Sequence, residues 1–208
     1  MKVYIDLGMN KGIILKAATK IYRDFDKFIG FEPIPQLFEE ARERLNTKKK
    51  VTVINKAVGT EDKKDKIYVN YYAGDVNKEI GPGSSLIRGK TTGYIDDSRT
   101  QIVSVINFSK YVIENFSSCD YIILKIDIEG EEYDLLNHMI STGSIKQIDE
   151  IYCEWHYQKL KKSDVDYKTV HKKLIKELNE LGFDITGNSK KDEFRKAMKE
   201  IKKTIIKN

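Results

Sequence analysis

The first twelve residues constrain the fold of this chain more than any other stretch. Val3-Tyr4-Ile5 is a short apolar run of β-prone residues that ends at Asp6, and Gly8, Asn10 and Gly12 follow at intervals of two. Beyond them, apolar residues recur at three- and four-residue steps, namely Ile13, Ile14, Ala17, Ala18, Ile21 and Tyr22. The stretch therefore predicts a strand, a tight glycine turn and a helix.

Such a turn at the carboxyl end of a parallel strand is typical of nucleotide-type ligand sites. Glycine lets the backbone approach a ligand closely, and the free N–H groups of the next helix face the same space. The pattern here is D-x-G-x-N-x-G and not the dinucleotide pattern G-x-G-x-x-G, which disfavours a nicotinamide-dependent oxidoreductase. The spacing favours a smaller ligand without a pyrophosphate, such as S-adenosylmethionine (SAM). The alternative is an ordinary strand–helix turn with two convenient glycines.

The rest of the chain continues this rhythm. Apolar, strand-like runs at Phe25–Phe31, Val51–Ile54, Tyr121–Asp127 and Ile148–Trp155 alternate with helical patterns after Pro35, after Asn107, around Tyr133–Ile140 and over Asp166–Leu181. Alternating strands and helices indicate a mostly parallel sheet with helices on both faces. We therefore expect an α/β, Rossmann-like fold of the class I methyltransferase type, and one domain over residues 1–188 of the 208.

Composition sets limits on the cellular setting. With 33% charged and 40% hydrophobic residues and no long apolar run, the chain predicts neither a membrane span nor a signal peptide, so we expect a cytoplasmic protein. The two cysteines, Cys119 and Cys153, form no metal-type pair and are expected to be reduced thiols.

Residues 60–106 interrupt the regular alternation. We predict a charged turn over Thr60–Lys66, a strand over Ile67–Tyr72, a glycine-rich loop containing Ser84 and Ser85, and a strand over Gln101–Ile106. A long irregular segment inside a compact domain is usually functional or mobile, so we interpret 60–106 as an inserted segment that meets the substrate or forms a lid. A disordered surface excursion is the alternative.

Residues 189–208 carry the charge of the whole chain. They contain eight basic and three acidic residues, which equals the net charge of +5, and the other 188 residues are neutral overall. Phe194, Met198, Ile201 and Ile205 share one face of a predicted amphipathic helix. This helix either docks on the domain or binds a nucleic-acid backbone, an anionic membrane surface or a dimer partner.

Acidic residues follow four of the five predicted sheet strands, as Asp6, Glu32, Asp127 and Glu154. The carboxyl ends of parallel strands meet at one edge of a sheet, so these acids are expected to converge on one cleft. Glu32 lies about twenty residues past the glycine turn, the position from which an acid binds a ribose diol. Its alternative role is to satisfy the dipole of the helix that begins near Pro35.

Taken together, the strand-end motifs resemble the FkbM family of SAM-dependent methyltransferases. The matching pieces, in the family's order, are Y-I-D-L-G-M-N-K-G, G-F-E-P-I-P-Q-L-F, I-N-K-A-V-G, G-S-S-L, L-K-I-D-I-E-G-E-E-Y-D-L-L and I-Y-C-E-W-H. The resemblance covers Val3 to about His156, and its most specific piece is K-I-D-I-E-G-E-E. It implies a Rossmann-like fold, SAM as the methyl donor and, typically, O-methylation of a hydroxyl on a sugar, glycan or small molecule.

The resemblance also implies roles for particular residues. The methionine end of SAM would be held by Asp6, Gly8, Asn10 and Gly12, the ribose by Glu32 with Pro33 beside it, and the adenine by the segment containing Asn55, Ala57 and Val58. The methyl-transfer site would be faced by Asp127, Lys125 and Glu129, and the acceptor would meet Ser84, Ser85, Glu129 and Glu154.

A hydroxyl acceptor must lose its proton as it attacks, and this requires a positioned base. Asp127 is the first candidate and His156 the second, and Lys125 lies two residues before Asp127. His156 could also join Asp127 and Glu154 in a metal site, but a divalent metal is not expected, because a lone histidine is more often hydrogen-bonded structure.

Two other functions compete with this interpretation. One is a ribose methyltransferase acting on RNA, with residues 189–208 tracking phosphates. Lys125 and Asp127 are too close in sequence for the spaced Lys–Asp–Lys–Glu set that this chemistry usually needs. The other is a non-catalytic module that binds nucleic acid or membrane, and the strand-end acids argue against it because carboxylates repel phosphates.

Overall fold

The computed structural model describes residues 1–72, 79–88, 90, 98–160 and 165–184. Its strands are β1 (Lys2–Leu7), β2 (Lys27–Phe31), β3 (Val51–Ile54), β4 (Ala57–Gly59), β5 (Lys63–Tyr68), β6 (Thr100–Asn107), β7 (Tyr121–Ile126) and β8 (Glu150–Cys153). Its α-helices are α1 (Ile13–Ile21), α2 (Pro35–Leu45), α3 (Phe108–Asn115), α4 (Glu132–Thr142) and α5 (Tyr167–Glu180). The regular elements fall where the apolar periodicity predicts them, with ends shifted by a few residues.

Five strands form a parallel central sheet in the order β3-β2-β1-β7-β8. The chain adds β2 and then β3 on one side of β1, and later adds β7 and then β8 on the other side. The strand order therefore reverses between β1 and β7. Open α/β sheets bind ligands outside the carboxyl ends of the strands at such a point. The predicted Rossmann-like α/β fold is confirmed.

Helices cover both faces of this sheet because β1 and β7 are apolar on both faces. Along β1, Val3, Ile5 and Leu7 point into a core built with α3, α4 and α5. Tyr4 points to the opposite face, where α1 and α2 pack through residues such as Ala18 and Leu45. A strand buried on both sides and flanked by helices is the arrangement that a continuous apolar run predicts.

A second, three-stranded sheet has the order β4-β6-β5, with β4 parallel and β5 antiparallel to β6. Two boundary predictions are wrong here. The predicted turn over Thr60–Lys66 contains most of β5, and the predicted strand over Ile67–Tyr72 contains only the last two residues of β5. The β5 strand is an edge strand whose lysines face solvent, so its charged sequence resembles a turn although its backbone is paired along its whole length.

The segment after β5 returns across this second sheet. Tyr68 pairs with Ser85 and Tyr71 with Ile80 in antiparallel bridges, which bring residues 80–86 over the carboxyl edge of the central sheet. The predicted amphipathic helix at 189–208 lies outside the described residues. Within the described ranges, no helix has both the length and the apolar composition that crossing a bilayer would require.

Candidate functional site

A cavity of about 520 Å³ lies at the carboxyl edge of the central sheet. Its walls come from the turns after β1, β2 and β7, from the β4 segment, and from residues 80–86, which cover it. The lining residues that the sequence predicted are Gly8, Asn10, Glu32, Pro33, Ala57, Val58, Ser84, Lys125, Asp127 and Glu129. Segments far apart in sequence therefore meet in one cleft, beside β1 and β7, where the strand order reverses.

The glycine turn is held against both neighbouring strands. The backbone N–H groups of Gly8 and Met9 donate to the carbonyl of Phe31 at 3.1 and 2.9 Å. Gly8 has φ +76°, and a Cβ there would overlap the carbonyl oxygen of Asp127. The first glycine is thus required by the contact between the turn after β1 and the turn after β7.

Glu32 is the buried acid of the cavity wall. Its side chain accepts a hydrogen bond from the N–H of Asn10 at 3.0 Å through one oxygen and from the N–H of Ile34 at 2.9 Å through the other. Burial raises the pKa of Glu32 to about 7, although these hydrogen bonds oppose the shift. Ile34 is the N-cap of α2, so the predicted alternative role at the helix start is also filled. A carboxylate has about four acceptor sites, and two are left for a ligand.

Three predicted cofactor residues lie outside the cavity lining. A Cβ on Gly12 would lie 2.9 Å from Leu45 and 3.0 Å from Ala41, so glycine is needed there for α1 to pack on α2. Asn55 is exposed, and its amide donates to the carbonyl groups of Glu32 and Pro33 at 2.8 and 3.1 Å. The close packing of α1 on α2 at Gly12 and the side chain of Asn55 therefore stabilise the walls from behind, and a direct cofactor contact of either residue stays a prediction.

Asp6 is the third predicted cofactor residue outside the cavity lining, and it lies below the cavity floor. It is fully buried, and one of its carboxylate oxygens lies 2.8 Å from Nζ of Lys125. Lys125 also approaches Asp127 at 3.5 Å and the carbonyl of Gly8 at 3.3 Å. Burial would lower the pKa of Lys125, but the charges of Asp6 and Asp127 raise it above its ordinary value. Lys125 is thus a fixed cation that orients Asp127, and it is poorly suited to act as a base.

Asp127 stands at the end of β7 with its carboxylate in the cavity. Burial raises the pKa of Asp127, the charges of Glu154 and Glu129 add to this shift, and Lys125 opposes it. A carboxylate with a raised pKa accepts a proton more readily than an ordinary one. Position and environment therefore both suit this residue to a role as general base.

Behind Asp127 lies a cluster around His156, which is itself outside the cavity lining. Nδ1 of His156 lies 2.8 Å from a carboxylate oxygen of the fully buried Glu132, and Nε2 lies 3.3 Å from Glu129 and 3.9 Å from Asp127. Burial would lower the pKa of His156, but its hydrogen bonds and nearby acids raise it to about 9. Glu154 lies 3.6 Å from the same Nε2, although 65% of its side chain is exposed.

The predicted acceptor residues Ser84 and Ser85 have different surroundings. Ser84 lines the cavity, and its hydroxyl accepts from the N–H of Asn70 at 2.9 Å. Ser85 is buried outside the lining, and its hydroxyl donates to the carbonyl of Glu129 at 2.7 Å. Ser85 thus stabilises the backbone of Glu129, whose φ of +58° is unusual for a residue other than glycine.

Comparison with known proteins identifies the domain that builds this site. Residues 6–185 match the Methyltransferase FkbM domain. The chain belongs to the FkbM methyltransferase domain family. This match confirms the resemblance that the strand-end motifs indicate.

Among solved structures, the FkbM domain described here is similar to a crystal structure of methyltransferase FkbM from Methylobacillus flagellatus KT. The two share 12% sequence identity with a TM-score of 0.48, over 85% of this chain and 38% of the other. This chain therefore spans less than half of the length of that protein. No curated protein sequence matches the chain significantly.

Several residues of this FkbM domain were missed by the sequence analysis. Apolar side chains from three separate segments line the cavity beside Ala57 and Val58, namely Ile34, Leu37, Ile67, Ile80 and Leu86. Glu131 also lines it, and burial raises the pKa of Glu131 to about 7. Lys90, from the glycine-rich loop, pairs with Glu129.

Glu132 is the missed residue for which the sequence carried a signal. It precedes Leu135, Leu136 and Met139 by three, four and seven positions, so helical periodicity places it on the buried face of α4. A charge on such a face requires partners. For Lys90 no comparable signal exists, because nothing local links it to Glu129, 39 positions away.

Proposed function

We propose that this FkbM domain binds SAM and methylates a hydroxyl group on a sugar, a glycan or a small molecule. The observation that carries the proposal is one cavity with Glu32 on one wall, Asp127 on another and the glycine turn between them. Its volume of about 520 Å³ falls within the usual range of small-molecule sites. The family match is consistent with this proposal.

The residues around the cavity fit the parts of SAM in their chemistry. Ile34, Leu37, Ala57 and Val58 offer apolar surface suited to a purine ring. Glu32 keeps acceptor sites for the two hydroxyl groups of a ribose, because each of its oxygens accepts one backbone N–H group. The N–H end of the turn and α1 suits a charged amino-acid end.

SAM, when bound, would supply a methyl group on a sulfonium that needs no further activation. The acceptor oxygen forms a bond to the methyl carbon while the carbon–sulfur bond breaks, and the hydroxyl proton leaves to a base. We assign Asp127 to accept this proton, since its carboxylate lines the cavity and has a raised pKa. Lys125 holds that carboxylate in place, and residues 80–86 limit the access of water.

The macromolecular partners predicted from the sequence involve residues beyond this cavity. Nucleic acid and an anionic membrane surface were predicted as partners of residues 189–208, which lie outside the described residues. These partners stay predictions from the sequence. The cavity wall itself is rich in carboxylates, which favours an uncharged, hydroxyl-bearing acceptor over a phosphate-bearing one.

Calorimetric titration of the full chain with SAM and with NAD tests the cofactor. We expect binding of SAM and none of NAD, and the absence of heat with SAM would overturn the proposal. Glu32→Gln should weaken SAM binding, while Glu43→Gln, on the exposed side of α2, should not. Transfer of a labelled methyl group from SAM to fractions of a cell extract would then identify the acceptor.

A further inference from the structure

Three metal-ligand side chains converge beside the cavity. Asp127 and Glu129 come from the turn after β7 and His156 from the turn after β8, and one ligand atom of each lies within 4.8 Å of the other two. We refer to these three residues as the acid–histidine triad. Two of its members, Asp127 and Glu129, also line the cavity. The sequence pointed to Glu154 as the second acid, whereas the fold brings Glu129 into this position.

The orientation of His156 is fixed by a partner outside the triad. Its side chain is 1% exposed, and its Nδ1 hydrogen-bonds to Glu132 at 2.8 Å. Glu132 is itself held by the N–H groups of Gly130 at 3.0 Å and Ile128 at 3.2 Å. A carboxylate that receives the N–H of one ring nitrogen leaves the other nitrogen as the ligand atom, as in many metal-binding histidines.

The other ring nitrogen, Nε2, is buried and makes no hydrogen bond within the described part of the chain. It points at carboxylate oxygens, 3.3 Å from Glu129 and 3.9 Å from Asp127, in a geometry that is not that of a hydrogen bond. A nitrogen lone pair and carboxylate oxygens repel each other at such distances, so a positive charge has to lie between them, either a proton on Nε2 or a bound metal ion. The arrangement of these buried atoms therefore suits a cation.

The balance of charges around the triad points the same way. Within the described ranges, five connected carboxylates face three lysines, which leaves an excess of one negative charge with a protonated His156 and of two with the neutral ring that binds a metal. The carboxylates are Asp6, Asp127, Glu129, Glu132 and Glu154, and the lysines are Lys90, Lys125 and Lys159. A divalent cation would neutralise this excess of two negative charges.

We propose that the acid–histidine triad binds a divalent cation that accepts both nitrogen and oxygen ligands, of the class of Mn²⁺. One imidazole and two carboxylates suit such a cation better than Ca²⁺, which takes six to eight oxygen ligands. On the proposed function, a cation held by these three residues would lower the pKa of an acceptor hydroxyl at the cavity wall, and the carboxylate oxygen of Asp127 that does not hold the cation would take the proton.

The proposed cation site is tested by measuring the binding of Mn²⁺ to the chelator-treated full chain in the absence of SAM and acceptor. Loss of the electron paramagnetic resonance signal of free Mn²⁺ measures the affinity, and coupling of bound Mn²⁺ to an imidazole nitrogen shows histidine ligation without any variant. We expect one Mn²⁺ per chain with nitrogen coupling, and only weak competition by Ca²⁺. No binding up to about 1 mM, or binding without nitrogen coupling, overturns the proposal.

Matched variants provide the second test. His156→Gln and Glu129→Gln should each weaken Mn²⁺ binding by about tenfold or more, while His138→Gln and Glu43→Gln should not change it. Circular dichroism checks folding, and if His156→Gln does not fold, Glu129→Gln and the nitrogen coupling decide. Unchanged affinity in a folded triad variant overturns the proposal. Titration of the same samples with SAM distinguishes failure of this inference from failure of the proposed function. If SAM binds and Mn²⁺ does not, only the metal site is overturned. If Mn²⁺ binds and SAM does not, only the proposed function is overturned.

Discussion

Gly8 and Asp127 lie so close that any side chain on Gly8 would overlap the carbonyl oxygen of Asp127. The two residues directly follow β1 and β7, the neighbouring strands between which the strand order of the central sheet reverses. Their contact places the glycine turn, which we assign to the cofactor, directly beside the carboxylate that we assign to proton removal. The consequences of this arrangement can be measured.

Gly8→Ala should destabilise the protein more than an alanine at an equally strained but open position. Gly143 is the matched control, since it also has φ +76° but has no atom within 4 Å of the position that a Cβ would take. We expect Gly143→Ala to lower the free energy of unfolding by about 1–2 kcal/mol through backbone strain alone. Gly8→Ala should cost clearly more in urea denaturation. Equal losses would show that the contact with Asp127 is unimportant.

Asp127→Asn should separate binding from turnover. The amide keeps the size of the side chain but cannot accept the hydroxyl proton, so methyl transfer should fall by about 10²- to 10⁴-fold. SAM affinity measured by calorimetry should change little, and Asp134→Asn, on the exposed side of α4, should affect neither. If Asp127→Asn abolishes SAM binding instead, Asp127 is a cofactor residue and not the base.

Glu32 should make SAM affinity depend on pH near neutrality. The pKa of Glu32 is raised to about 7 by burial, so its carboxylate is charged above that pH and protonated below it. Ribose hydroxyls donate to the charged form, so affinity should rise by about tenfold between pH 6 and pH 8. Glu32→Gln should flatten this profile. A wild-type profile without a slope would contradict the assignment.

The same shift has the opposite effect on stability. The folded pKa of Glu32 is above its ordinary value of 4.5, so the folded state holds this proton more tightly than the unfolded chain. The stabilising contribution of protonated Glu32 to the free energy of unfolding is therefore fully present below about pH 4.5, and it is lost as the pH rises through about 7. Urea denaturation of the wild type and of Glu32→Gln should diverge over this interval.

Lys125→Met should be strongly destabilising, because it leaves the buried charge of Asp6 without its counter-ion. Removing one partner of a buried pair typically costs about 3–5 kcal/mol. Lys2→Met is the control: its pair with Asp24 is exposed, and we expect a change near the error of the measurement. Adding Asp6→Asn to Lys125→Met should restore part of the loss. Failure of this rescue would place the cost in packing and not in charge.

Much of the fold could be predicted because it depends on local patterns. The apolar runs of β1, β2 and β7 and the helical stripes between them appear in the sequence at their correct places, since backbone geometry fixes the periods of strands and helices. The β5 strand could not be predicted in this way. Its charged residues face solvent, and only its pairing with β6, more than thirty positions later, makes it a strand.

The residues of the candidate site also fall into those that local sequence patterns predict and those that they do not. Sequence patterns were enough to place Gly8, Glu32 and Asp127 at strand ends, but not to tell that Gly12 faces α2 or that Asn55 braces the chain behind the cavity. Those roles depend on neighbours that are distant in sequence.

By itself, the sequence determined the parallel sheet, the glycine turn and the family, since these follow from short-range periodicity and from motifs at strand ends. The tertiary structure alone decided which side chains meet: Lys125 between Asp6 and Asp127, and Glu132 behind His156. The physical reason is that the charge and protonation of a buried group depend on partners within a few ångströms, and folding brings those partners from different strands.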